Sequence, residues 1–85
     1  MYRLVFTKEA QNALRRLPRN TAILIREKLV QLAANPYAPN VNAARLQNRA
    51  GYRLRIGSWR VIYEIQGDEM VILVVKIAGR GEVYR

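Results

Sequence analysis

The chain has 85 residues, of which 15 are Lys or Arg and 6 are Asp or Glu, so its formal net charge is +9 at neutral pH. It contains neither cysteine nor histidine, which excludes disulfides and thiolate metal sites and argues against transition-metal catalysis, so we expect no metal or other cofactor. No apolar run approaches the roughly 20 residues that cross a bilayer, so we expect one cytoplasmic domain, residues 1–85, with no membrane contact.

The basic excess indicates the class of partner. Arginine outnumbers lysine, and its planar guanidinium binds phosphate and carboxylate groups through paired hydrogen bonds. We therefore expect nucleic acid, an acidic protein, or both to bind this chain.

The N-terminal part of the chain begins with a strand and a helix. Residues 2–6 alternate in polarity and predict a strand, and Thr7 is a suitable N-cap for a helix over residues 8–17. Pro18 ends that helix because proline lacks the N–H that a helix interior needs. The apolar stripe of this helix consists of Ala10, Ala13, Leu14 and Leu17.

A second helix follows after a short connection. We expect Asn20 or Thr21 to cap it and the helix to run to about Ala34. The short connection predicts an antiparallel helical hairpin, and residues 35–42 (NPYAPNVN) then form a loop. The apolar stripe of the second helix consists of Ala22, Ile25, Leu29 and Leu32.

The segment 51–65, GYRLRIGSWRVIYEI, predicts two adjacent strands joined by a turn at Gly57-Ser58. Apolar and aromatic residues occupy alternate positions of both strands, and we expect Tyr52, Trp59 and Tyr63 to pack in the core, base stacking by Tyr52 or Trp59 being the alternative. The intervening positions place Arg53, Arg55 and Arg60 together on the exposed face of the sheet.

The rest of the chain completes the expected sheet. Residues 43–48 lead into it, and residues 66–69 supply a hairpin turn. Residues 70–78, MVILVVKIA, are typical of a central strand covered on both faces, after which Gly79-Arg80-Gly81 breaks the strand. The predicted fold is α+β: an N-terminal strand, an antiparallel helical hairpin and a three-stranded antiparallel meander, in one mainly antiparallel four-stranded sheet with the helices on one face.

Over essentially its whole length this chain resembles the RelE/ParE superfamily of type II toxins, the toxic halves of bacterial toxin–antitoxin pairs. The opening strand, the helical hairpin, the NPYAPN loop, the GYRLRIGSWRVIYEI block and the tail VVKIAGRGEVYR carry the resemblance. It implies a RelE-like fold. It also implies one of two activities, because RelE-like members are endoribonucleases that cut mRNA in the ribosomal A site, whereas ParE-like members inhibit DNA gyrase.

The resemblance also implies site residues. Basic family positions match Arg53, Arg55, Arg60 and Arg80, and a C-terminal family tyrosine matches Tyr84. This chain has arginine where RelE-like members often have lysine on the first of these strands. Gly79 stands where many relatives have histidine or lysine.

RNA cleavage of this type needs no cofactor if the ribose 2′-OH attacks the adjacent phosphorus. We expect Arg60 to stabilise the charge that develops on the phosphorane, helped by Arg80 or Arg55. Arginine stays protonated and is a poor base, which makes Tyr84 the candidate general base or substrate-orienting group. Glu64 and Glu82 are further candidate bases, with ion pairing to an arginine as the alternative. The predicted RNA-binding residues are Arg45, Arg49, Arg53 and Arg55.

Three functions therefore stay open: a ribosome-dependent mRNA endoribonuclease, which we favour, a gyrase inhibitor without chemistry of its own, and a degenerate member that retains only antitoxin binding. In each case the expected partner is a small acidic antitoxin whose carboxylates meet the arginines. Promoter DNA would be bound only through that antitoxin.

Overall fold

Residues 1–40 and 42–79, which the computed structural model describes, form a five-stranded sheet with two helices packed on one of its faces. The elements in chain order are β1 (Arg3–Phe6), α1 (Lys8–Arg16), α2 (Arg19–Ala34), β2 (Ala43–Arg45), β3 (Tyr52–Ile56), β4 (Trp59–Gln66), a 3₁₀ turn (Gly67–Glu69) and β5 (Val71–Gly79).

The strand order in the sheet is β1-β5-β4-β3-β2. β1 runs parallel to β5, and every other neighbouring pair is antiparallel. The predicted α+β class, the mainly antiparallel sheet and the helices on one face are therefore confirmed. The predicted count of four strands is wrong, because the three residues of β2 pair with β3 as an additional edge strand.

The two helices begin in different ways. Thr7 caps α1 as predicted, since its Oγ1 accepts a hydrogen bond from the Ala10 N–H at 3.1 Å. The predicted cap of α2 at Asn20 or Thr21 is wrong, because α2 begins at Arg19 and Pro18 is its N-cap. The Pro18 carbonyl already accepts the first helical hydrogen bond, from the Ala22 N–H at 2.9 Å.

The core lies between the helices and one face of the sheet. α1 contributes Ala10 and Leu14 to this core. α2 contributes its predicted apolar stripe, Ala22, Ile25, Leu29 and Leu32. Tyr52 and Trp59 are partly buried against this core, whereas Tyr63 lies inside it. The fully buried side chains of greatest volume are Tyr63, Ile25, Leu29, Ile72, Val61 and Val74.

An irregularity in β5 ties the sheet to α1. Ile62 pairs with Lys76 but Tyr63 pairs with Val74, so Val75 is an extra residue on β5. The Val75 carbonyl accepts a hydrogen bond at 2.8 Å from the hydroxyl of Thr7, the same residue that caps α1. The bulge therefore supplies an acceptor where β1 has ended and the first helix begins.

No helix within the described residues has the length and hydropathy that crossing a bilayer would require. Three sequence predictions, namely the strand break after Gly79, the closing segment 82–85 and the site residues Arg80 and Tyr84, lie wholly or partly outside the described residues.

Gly51 should be the less replaceable of two glycines with positive φ. Its φ is 117°, and a Cβ there would lie 2.9 Å from the Tyr63 carbonyl oxygen. Gly57 has a φ of 60° and nothing within 4 Å of such a Cβ. We expect Gly51→Ala to lower the free energy of unfolding by about 1–3 kcal/mol, and Gly57→Ala by about 1 kcal/mol. Urea unfolding checks both variants, and equal losses would contradict the close approach at Gly51.

The titration of Tyr63 should make the stability of the fold depend on pH in the alkaline range. Burial, followed by the neighbouring Tyr52, raises the pKa of Tyr63 from 10.0 to about 12. The unfolded chain therefore loses this proton first, so stability is complete below pH 10 and falls as the pH rises towards 12. The two-unit difference corresponds to about 2–3 kcal/mol. Urea unfolding followed by the fluorescence of Trp59 should show a shallower fall for Tyr63→Phe than for the parent chain, and identical falls would refute this assignment.

Candidate anion-binding site

The side of the sheet away from the helices carries the three arginines that the alternation of β3 and β4 brings together. Arg55 and Arg60 are directly opposite each other across the two strands, and Arg53 is opposite Ile62. The intervening pair, Leu54 and Val61, is buried against the helices. We call the surface formed by Arg53, Arg55 and Arg60 the arginine face. The structure thus brings these three predicted site residues together.

Two cross-strand rows organise the arginine face. One row runs Arg55, Arg60, Ala78, and the other runs Arg53, Ile62, Lys76. Lys76 thus belongs to this face by register, although its Nζ pairs with Glu9 Oε2 at 3.9 Å. Lys76 was not among the predicted site residues, because one cation within a β-branched run gives no signal of which neighbours it will have.

Arg55 and Arg60 are two neighbouring cations whose charges no nearby carboxylate among the described residues neutralises. Arg55 is exposed, and Arg60 is half-buried and donates one Nη1 hydrogen bond to the Trp59 carbonyl at 3.4 Å. Within residues 1–40 and 42–79, no carboxylate lies within ion-pair distance of either guanidinium. Like charges directly opposite each other destabilise a sheet. An anion bound between them would relieve that repulsion.

Buried apolar side chains lie beside these cations. Ile62 is only 3% exposed and Ala78 only 5%, although both belong to the side of the sheet that the helices leave uncovered. Apolar surroundings lower the local dielectric and strengthen the attraction of a nearby cation for an anion. The arginine face is therefore better suited to bind phosphate than scattered surface arginines would be.

Arg45 does not belong to the arginine face. It is opposite Tyr52, which places it on the helix side of the sheet, and its guanidinium carbon lies 6.0 Å from the centroid of the Tyr52 ring, a cation–π geometry. Arg45 nevertheless lines one cavity together with Arg49 and Arg53, and its role in RNA binding stays a prediction. Its place on the helix side follows from the alternation of side chains along β2, whose pairing with β3 was not predicted.

An aromatic group lies near Arg45 on the helix side. Tyr52 stacks on Tyr63 with ring centroids 5.4 Å apart, and Tyr37 meets Tyr2 edge-on at 6.5 Å. Desolvation and then the neighbouring Tyr2 raise the pKa of Tyr37. By register, Tyr52 and Tyr63 face away from the arginine face, which leaves Glu64 as the carboxylate that β4 contributes to it.

Arg49 lies at the end of the hairpin formed by β2 and β3. Together with Arg53 it lines an open cavity of about 460 Å³. Gln47 and Asn48 line the same cavity and were not singled out from the sequence, although a polar run ending in glycine before a strand is a hairpin signal. Within the described residues, no three Asp, Glu, His or Cys side chains converge as metal ligands.

Sulfate should reveal the anion site. We expect Arg55→Gln to raise the free energy of unfolding at low salt by about 0.2–1 kcal/mol, because it removes the repulsion with Arg60. The same change should weaken stabilisation by millimolar sulfate, measured as the shift in Tm relative to sodium chloride at equal ionic strength. Arg16→Gln, which removes an exposed charge from α1, is the matched control and should keep the sulfate response. An equal response in all three proteins would show that sulfate acts elsewhere.

Comparison with known proteins connects this geometry to a family. A sequence model of the ParE toxins of type II toxin–antitoxin systems (parDE) matches residues 4–84. A search of curated proteins gives no match.

Solved structures share the fold over nearly the whole chain. An archaeal RelE–RelB complex from Pyrococcus horikoshii OT3 aligns at 28% identity with a TM-score of 0.81, covering 95% of this chain and 97% of that one. The intact E. coli RelBE toxin–antitoxin complex aligns at 24% identity with a TM-score of 0.80, covering 96% and 99%. A YoeB/ParE toxin from Agrobacterium tumefaciens aligns at 18% identity with a TM-score of 0.77, covering 92% and 98%.

The family match extends over almost the entire sequence, and the structural matches reproduce the sheet and both helices. The resemblance to the RelE/ParE superfamily, which extends over essentially the whole sequence, is thereby confirmed. The chain belongs to the ParE toxin family within the RelE/ParE superfamily, and it is a toxin of a type II toxin–antitoxin system with a RelE-like fold.

Proposed function

We propose that this toxin is an endoribonuclease that cuts mRNA in the ribosomal A site. The observation that carries the proposal is the Arg55–Arg60 pair, two arginines that are register partners on adjacent strands and have no carboxylate partner among the described residues. Two cations held at one point of a rigid sheet can grip the non-bridging oxygens of one phosphodiester. Arg53, one row further along the same strand, can bind the next phosphate of the backbone.

The proposed reaction uses the substrate's own nucleophile. The 2′-OH of the ribose attacks the adjacent phosphorus, the P–O5′ bond breaks, and the products are a 2′,3′-cyclic phosphate and a free 5′-OH. The protein must align the attacking oxygen with the leaving group and neutralise the phosphorane. Arg60 has the charge-stabilising role, because its half-buried guanidinium is the better fixed of the pair.

Proton transfer needs a group other than arginine, which stays protonated. By family resemblance this role falls to Tyr84, with Arg80 as a second charge stabiliser, and both residues lie outside the described part of the chain. Glu64 on β4 is the alternative base. Within residues 1–40 and 42–79, neither helix covers the arginine face, which fits a reaction that depends on the ribosome to present its substrate.

The same surface suits an inhibitory partner. The similar toxins from E. coli and P. horikoshii were solved in complexes with RelB antitoxins. We propose that a cognate acidic antitoxin neutralises this toxin by placing carboxylates against the arginine face. In this proposal the complex acts in the cytoplasm and meets promoter DNA only through the antitoxin.

A second candidate function is inhibition of DNA gyrase without any chemistry. It is favoured by one specific observation, namely that the matching sequence family is that of the ParE toxins. In that case the arginines would bind gyrase or antitoxin carboxylates, and no residue would act as a base.

Primer extension on mRNA in a bacterial translation extract tests the leading proposal. The toxin should produce cuts within codons at the A site, and Arg60→Ala should lower the cleavage rate on the order of 100-fold, because one charge-stabilising contact to the transition state is lost. Arg16→Ala, which removes the same charge from α1, is the matched control and should cut normally.

Message that stays intact under an excess of folded toxin would overturn the nuclease proposal. A supercoiling assay with purified gyrase then decides the alternative: inhibition by the parent toxin would establish gyrase as the target. Cleavage together with unimpaired supercoiling would exclude it.

A further inference from the structure

The hairpin that joins β2 to β3 ends in a polar tip beside the arginine face. The Leu46 N–H donates to the Gly51 carbonyl at 3.0 Å and closes the loop, so residues 47–50 (QNRA) form the hairpin tip. All four residues are exposed. Gly51 supports the loop from below, since its backbone approaches Tyr63 so closely that a side chain would clash. The hairpin tip therefore presents the amide side chains of Gln47 and Asn48 and the guanidinium of Arg49 to solvent.

The hairpin tip borders a cavity of about 460 Å³ that shares Arg53 with the arginine face. Its lining includes Arg53, a member of that face, and Ala44, the register partner of Arg53 on β2. The small side chain of Ala44 takes up little of the cavity's volume. Sites for small ligands have volumes of roughly 300–1,000 Å³, so this cavity is large enough for one nucleotide.

We propose that this cavity is a nucleotide subsite, which holds one nucleotide of single-stranded RNA next to the phosphate gripped by Arg55 and Arg60. This inference rests on the proposed ribonuclease function and deepens it. Gln47 and Asn48 read the edge of the base, because a carboxamide offers both a donor and an acceptor. Arg49 binds the phosphate of that nucleotide, and Arg53 connects the subsite to the arginine face.

The chemistry of the lining favours RNA over an acidic peptide. A peptide of carboxylates would be matched by cations alone, whereas half of the hairpin tip consists of uncharged amides whose hydrogen-bonding pattern suits base edges. The unstacked bases of single-stranded RNA expose those edges, whereas the edges in a duplex are paired. The subsite therefore gives the toxin a means of preferring some codons over others.

Fluorescence anisotropy with the purified toxin and labelled 2′-O-methyl RNA hexamers measures this subsite apart from cleavage, because such RNA has no free 2′-OH to attack. Ala44→Phe fills the cavity without changing charge, at an exposed strand position that favours aromatic residues. It should weaken binding by at least about fivefold, the effect of losing one bound base. Ala34→Phe, at an exposed position of α2, is the matched control and should bind as the parent does.

Two further variants separate base reading from phosphate binding. Gln47→Ala/Asn48→Ala should reduce the discrimination among hexamers that differ at one base by about fivefold or more. Arg49→Ala should weaken all hexamers equally and lower the slope of log affinity against log salt by about 0.7, the value for one phosphate contact on a single strand. Arg16→Ala should leave that slope unchanged. Urea unfolding of each variant confirms that it is folded.

Cleavage in the translation extract distinguishes a failure of the subsite proposal from a failure of the nuclease proposal. A codon preference that changes in Gln47→Ala/Asn48→Ala supports the subsite. If the parent toxin cuts mRNA but Ala44→Phe and the double variant keep its affinity and preference, the subsite is refuted and the nuclease survives. If the parent does not cut, the nuclease is refuted, and the hexamer measurements decide the subsite: base discrimination lost in the double variant supports it, and unchanged binding refutes it.

Discussion

The pairing of β3 with β4 decides which side of the sheet each arginine occupies. Leu54 and Val61 are register partners and are both buried against the helices, so Arg55 and Arg60 meet on the other side. A slip of one residue would turn the guanidinium groups into a core that, among the described residues, contains no buried polar or charged residue. Burying such charges without partners costs several kcal/mol, so apolar packing on one side and the clustering of the arginines on the other are consequences of the same register.

The arginine face concentrates charge at the expense of stability. Repulsion between Arg55 and Arg60 is tolerated because the helices stabilise the same two strands from the opposite side, where Tyr63 and its neighbours are buried. Ile62 and Ala78, which belong to the same side of the sheet as these cations, are themselves buried. A thin core on one side of the sheet thus supports a cluster of cations on the other, and a ligand that bound this cluster only in the folded state would stabilise the fold.

How far the sequence predicts the structure depends on the range of the signal. The alternation in residues 51–65 predicted the arginine face, and the helical stripes predicted the core, because both are local periodicities. β2 is only three residues long and has no periodicity of its own, so its pairing and the resulting position of Arg45 could not be predicted. The cavity beside Ala44 likewise exists only through a cross-strand pairing with Arg53.

The parallel pairing of β1 with β5 also determines at which stage of synthesis the sheet can be completed. Arg3 is opposite Val71, and the Thr7 hydroxyl reaches a carbonyl 68 residues further along the chain. Contacts between such distant segments form late, and a chain emerging from the ribosome cannot make them until its last long strand exists. β4, which carries Arg60, is held in the sheet by that same strand. The sheet that carries the arginine face can therefore be completed only after β5 has been synthesised.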